Sequence, residues 1–120
     1  CVRFHDRIVY DDAYNGLALD NDEGDRIATA LGDRGVMFMG NHGILVVGRT
    51  LANAWDDLYY LERACKNQVL AMSTGLPLRE IPTQLVQAAK NQILGDGAYG
   101  ESHLSAIQQV LDKEEPDYRS

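Results

Sequence analysis

Two four-residue apolar runs, Val36–Met39 and Ile44–Val47, flank Gly40, Asn41, His42 and Gly43, and this spacing predicts a β-hairpin with an imidazole at its tip. Gly40 and Gly43 bracket the turn and are expected to supply any positive φ it needs. Upstream, Val2, Phe4, Ile8 and Tyr10 fall at even positions, so Val2 to Tyr10 reads as a half-buried strand. Asp11 to Gly16 is turn-like and Leu17 to Leu19 a short extended piece. Asp20 with Glu23 resembles a capping box and starts a helix over about Asp22 to Leu31, which Gly32 stops.

Downstream of the hairpin the periodicity changes from two to nearly four. Thr50 caps a helix over Leu51 to Ser73, and Gly75 and Pro77 end it. Leu51, Ala54, Trp55, Leu58, Leu61, Cys65, Val69 and Met72 advance by threes and fours, so they are expected to form its buried stripe. Asp56 and Asp57 suit the positive end of the helix dipole, and Glu62 and Lys66 are one turn apart, close enough to pair. Pro82 fits the first turn of a third helix reaching about Leu94. Gly95, Gly97 and Gly100 then break the chain before a last helix over about Glu101 to Leu111. Asp112 to Ser120 reads as a frayed tail or an arm, in which Tyr118 is an exposed aromatic or reaches a neighbouring subunit.

Composition narrows what such a chain can be. At 120 residues, 45% hydrophobic and 24% charged, it is expected to be one globular domain, residues 1–120. Eighteen acidic against eleven basic side chains leave a net charge of −7, which disfavours nucleic-acid partners. No apolar run approaches the ~20 residues that cross a bilayer, and no signal-peptide pattern opens the chain, so a cytoplasmic location away from membranes is expected. Cys1 and Cys65 form no CxxC pair, and Cys65 is expected to be a buried thiol. The chain opens at Cys1 without an initiator Met, which suggests that it was cut from something longer.

The candidate chemistry centres on His42, because a histidine on a rigid turn suits a metal ligand or a proton carrier. Taken alone it is also an ordinary turn residue. His5, beside Arg3, Asp6 and Arg7, reads as a surface or strand-edge histidine, and His103 as part of a solvated helix face. Asp11, Asp12 and Tyr14 form a polar cluster expected to be solvated, and Glu62 is read as half of an ion pair. No nucleophile triad, GxGxxG or P-loop is present.

The run from Met39 through Asn41, His42, Gly43 and Gly48, continuing through Ala54 to Leu58, Glu62 and Cys65, resembles the class II aldolase/adducin family. Asn15 to Asp20, with Glu23, Gly24 and Arg26, strengthens the likeness. The similarity runs from about Val2 to the Pro116–Tyr118 tail, but corresponds only to the C-terminal part of such a protein. It implies a layered α/β/α fold with an antiparallel or mixed central sheet, here truncated at its N-terminus, and a homotetramer with active sites at subunit boundaries.

The likeness also implies an activity. Family enzymes hold a divalent metal, usually zinc, on three histidines, two from a His-x-His segment and one from the Asn-His-Gly turn. They act on a sugar phosphate or similar small substrate, and the metal stabilises the enediolate. His42 is the position here that would inherit a ligand role, and no His-x-His occurs in the 120 residues. One histidine does not make a catalytic zinc site, which takes three protein ligands. A metal-dependent aldolase, lyase or epimerase completed by upstream ligands is therefore the first expectation, and a non-catalytic adducin-like assembly module the alternative.

Overall fold

The computed structural model describes residues 1–13, 21–95 and 99–119. The chain divides into two compact units, one of Phe4–Val47 and the other of Cys1–Arg3 with Gly48–Ser120. The element order, strand, helix, hairpin, long helix and two final helices, follows the hydrophobic pattern.

In the Phe4–Val47 unit, strand β1 (Ile8–Asp11), helix α1 (Asn21–Leu31) and strand β2 (Val36–Met39) run in sequence, and strand β3 (Gly43–Val46) closes a three-stranded sheet in the order β1-β2-β3. β1 and β2 are parallel, with Ile8 opposite Val36 and Asp11 opposite Met39. β2 and β3 are antiparallel, with Val36 opposite Val46 and Met39 opposite Gly43. The sheet is therefore mixed, as expected. Val36 and Met37 are fully buried, and Tyr10 stacks on Phe38 with ring centroids 5.5 Å apart.

The first strand is shorter than the alternation predicts. Val2–Phe4 is a 3-10 turn, and the Phe4 carbonyl accepts the Arg7 N–H at 3.0 Å. Asp6 takes φ 57°, which an extended strand cannot accommodate, so pairing begins only at Ile8. Gly32 ends α1 at φ 58°, as its position implies. The expected extended piece Leu17 to Leu19, the Asp20 cap, Tyr14 and Gly97 lie outside the described residues.

The other unit is helical: α2 (Leu51–Ser73), α3 (Thr83–Leu94) and α4 (Tyr99–Glu114). Thr50 caps α2 by accepting the Asn53 N–H at 3.1 Å, and its hydroxyl donates to Glu101 at 3.0 Å. Gly75 beyond the far end stands at φ 70°.

The buried face of α2 is only partly the expected apolar stripe. Leu61 is buried as expected, but Leu51 is 81% exposed and Val69 66%, while Ala52, Asp56 and Asp57 are buried in their place. Close approach of α4 explains part of the rotation. A Cβ on Gly100 would stand 2.7 Å from Asn53 Nδ2 and 3.1 Å from the Ala52 carbonyl, so only glycine lets the two backbones meet there. Gly100 therefore lies inside α4 rather than breaking the chain before it. Cys65 is half-buried, and Glu62 and Lys66 are both exposed with no ion pair between them among the described residues.

Two termini also differ from expectation. Pro82 is the cap residue of α3, one place outside the helix, its carbonyl accepting from Leu85 and Val86. The tail is folded rather than frayed: residues 116–119 form a second 3-10 turn. The Tyr118 hydroxyl donates to Asp112 at 2.8 Å and Arg119 bonds the same carboxylate at 2.8 Å, turning both back onto their own helix.

Candidate functional site

His42 sits in a three-residue connection between paired strands. Its N–H donates to the Met39 carbonyl at 3.2 Å, and the flanking Met39–Gly43 pair closes the ladder. The left-handed position belongs to Asn41, at φ 58°, where a short polar side chain is tolerated. Gly43 follows at φ 151°. Gly40, expected to provide similar freedom, instead joins the turn to β1. Its N–H donates to the Asp11 carbonyl at 2.8 Å, and a Cβ there would lie 3.3 Å from the Asp12 Cα. The turn is thus pressed against the end of β1. Asn41, His42 and Gly43 are all exposed, at the tip of a braced element.

The bracing continues into α1. Arg26 grips both Asp11 oxygens at 3.1 and 2.8 Å, holds Glu23 at 2.9 and 2.8 Å, and donates to the Ala13 carbonyl at 3.2 Å. The Arg26 hydrogen bond, reinforced by the Ala13 N–H and opposed by desolvation, holds the Asp11 carboxyl below its usual range. Bonds to Glu23 and then Asp11 push the Arg26 guanidinium above its own. Asp11 is accordingly buried, where the sequence suggests a solvated turn; Asp12 is exposed.

The helical unit holds a second cluster that the sequence does not reveal. Asp56, 1% exposed, receives an Arg3 guanidinium N–H on one oxygen and faces His103 Nδ1 at 2.6 Å on the other. Arg3 Nε bonds Asp57 at 2.8 Å, and its guanidinium lies 4.9 Å over the Tyr60 ring. Burial works against the Arg3 charge, but bonds and charges from Asp56 and Asp57 outweigh it and keep the group above its usual range. The His103 ring is packed by Trp55 and Tyr59, with centroids 4.6 and 4.7 Å away. The linear pattern assigns Asp56 and Asp57 to the helix dipole and His103 to a solvated face; the fold buries the aspartates and joins one of them to the histidine. Asp56 and His103 are 47 residues apart, which hides the contact, and a Trp-Asp-Asp triplet inside an apolar helix is the signal that it leaves.

His5 lies in the turn before β1, with Nε2 3.2 Å from its neighbour Asp6. Among the described residues no group of three or more His, Cys, Asp or Glu side chains is arranged to hold a metal ion. His42 is part of no such group among the described residues.

Residues 1–69 match the description "Class II Aldolase and Adducin N-terminal domain", and the chain belongs to that family. The crystal structure of an aldolase II superfamily protein from Pseudomonas syringae superposes with a TM-score of 0.82 at 34% identity, covering 99% of this chain and 48% of that one. A protein of Pseudomonas aeruginosa named as a candidate class 2 aldolase is 35% identical over 89% of this chain and 43% of its own length. The decarboxylase NovR of Streptomyces niveus is 37% identical over 89% of this chain and 40% of its own. The chain thus spans less than half the length of these relatives, and its fold is the α/β fold of class II aldolases.

Proposed function

We propose that the protein carrying this chain is a metal-dependent lyase or related enzyme of the class II aldolase type. Its substrate is a small phosphorylated sugar or another hydroxy-carbonyl compound. His42 supplies one ligand to a divalent cation, zinc by the usual preference of such donors, and the other ligands come from elsewhere in the protein. The observation that carries this reading is the exposure of His42 on a turn tied to β1 through Gly40 and Asp11.

A bound cation supplies Lewis-acid stabilisation of negative charge developing on substrate oxygens. This chain's own contribution is positional. The hairpin ladder fixes the His42 backbone, and the Asp11–Arg26–Glu23 network fixes the strand end it leans on. Assembly as a homotetramer in the cytoplasm belongs to the same reading. No helix among the described residues is long and apolar enough to cross a membrane. Similarity to a decarboxylase supports chemistry at a carbonyl compound while leaving the reaction open among aldol cleavage, epimerisation and decarboxylation.

The test is elemental analysis of the intact protein. About one divalent metal per subunit is expected in the wild type, with most of it lost in His42→Ala. An intact wild type without stoichiometric metal removes the enzymatic reading and leaves an assembly module of the adducin kind.

A further inference from the structure

We propose that the apolar surface of residues 69–94, made by the last turns of α2, the linker after it and α3, docks a second copy of this chain, same face against same face. The inference takes from the reading above only the existence of a homo-oligomer and gives it a surface. It needs no metal.

Every residue from Lys66 to Leu85 is exposed, although much of the segment is apolar. Val69, Leu70, Met72, Leu76, Ile81 and Leu85 are each more than half open to solvent. Together they present on the order of 700 Å² of apolar surface, more than a monomer ordinarily leaves uncovered and close to the ~800 Å² that each partner contributes to a standard interface. The same shortage of contacts continues into α3. Its 12 residues bury no side chain, and no side chain caps its start. A helix of that length is marginal in water unless another surface packs on it. Leu85 and Ile93, two turns apart on one face, are both exposed and available to that surface.

Charge and position along the chain identify the occupant. The net charge is −7, yet between Val69 and Leu94 the only charged side chains are Arg79, Glu80 and Lys90. Two copies that meet elsewhere bring like charges together, whereas two that meet here do not. Depletion of charge marks the core of an interface, and homodimer interfaces are the most apolar. Arg79 beside Glu80 also suits a two-fold contact, in which each charge can meet its opposite on the other copy. The match to the family domain ends at residue 69, where the apolar run begins, so the segment extends that domain instead of forming one of its layers. This favours a partner outside the domain over another part of it.

The experiment follows the full-length protein by sedimentation velocity over a range of concentrations. Wild type is expected to sediment as an oligomer, and Leu85→Glu, which puts a carboxylate on both sides of the contact, should weaken association at least about 100-fold. Leu76→Glu, which lies between the helices, should act alike, so that damage to a helix is not the cause. The circular dichroism and urea midpoint of each dissociated variant should match those of wild type diluted to the same state, because both side chains are mostly exposed within the chain. Peroxide oxidation of Met72, located by peptide mass spectrometry, should be slow in the wild-type oligomer and several-fold faster in the dissociated variants. A wild type with the mass of one chain removes the assembly and the proposal together. An oligomer whose mass survives both substitutions overturns the proposal alone, as does Met72 that oxidises equally in all three proteins. A lower urea midpoint at unchanged mass shows that the same polypeptide covers the face, and overturns it too. Metal content reports on the lyase reading separately.

Discussion

Replacing Arg3 by methionine keeps most of the side-chain volume and deletes the charge that two buried carboxylates share. The Arg3 side chain is 14% exposed, against 2% for Asp56 and 7% for Asp57, so little water is available to take its place. Removing one partner of a buried pair costs about 3–5 kcal/mol, chiefly because the remaining charge is stranded. Asp56 retains His103, which puts the expected loss near the lower limit, about 3 kcal/mol. Urea unfolding of the full-length protein at pH 7.5, followed by far-UV circular dichroism, reads this as a lower midpoint with unchanged slope. Adding Asp57→Asn to the variant should recover part of the stability. A variant within about 0.5 kcal/mol of wild type at pH 7.5, the range of an ordinary surface change, would refute the argument.

Three further expectations use the same assay. A Cβ on Gly48 would stand 2.5 Å from the Ala54 nitrogen, whereas one on Gly24 meets nothing within 4 Å. Gly48→Ala should therefore destabilise by about 1–3 kcal/mol through overpacking, while Gly24→Ala, inside α1, should stabilise by about 0.5–1 kcal/mol. Thr50→Ala removes the α2 cap and the bond to Glu101, and should cost about 1 kcal/mol, with loss of helical ellipticity on partial unfolding. The Asp11 carboxyl is depressed when folded, so its contribution is complete above the ordinary aspartate pKa of about 3.9 and fades as pH falls through the lower folded value. Arg26→Met should flatten that acid limb of the stability profile, and an unchanged limb would show that Arg26 does not hold Asp11.

Local chemistry makes the element order legible. Thr50 at the start of α2, Gly32 after α1, and the apolar runs on either side of Asn41–Gly43 act within a few residues of where they stand, so a linear reading reaches them. His42 is legible for the same reason: a histidine in a tight connection is placed by its neighbours. The network that braces it is not, because the Arg26–Asp11 contact spans 15 residues and depends on α1 meeting β1.

What the sequence determined by itself was the family, the elements and the imidazole at the hairpin tip. Tertiary structure decided which face of α2 is buried and where its charges go. Periodicity can mark one side of a helix as apolar, but Gly100 let the α4 backbone approach the Ala52–Asn53 side instead. Asp56 could then be buried only because Arg3 and His103, distant in sequence, arrived to share its charge. A buried charge needs a partner within a few ångströms, and that distance is a property of the folded chain alone.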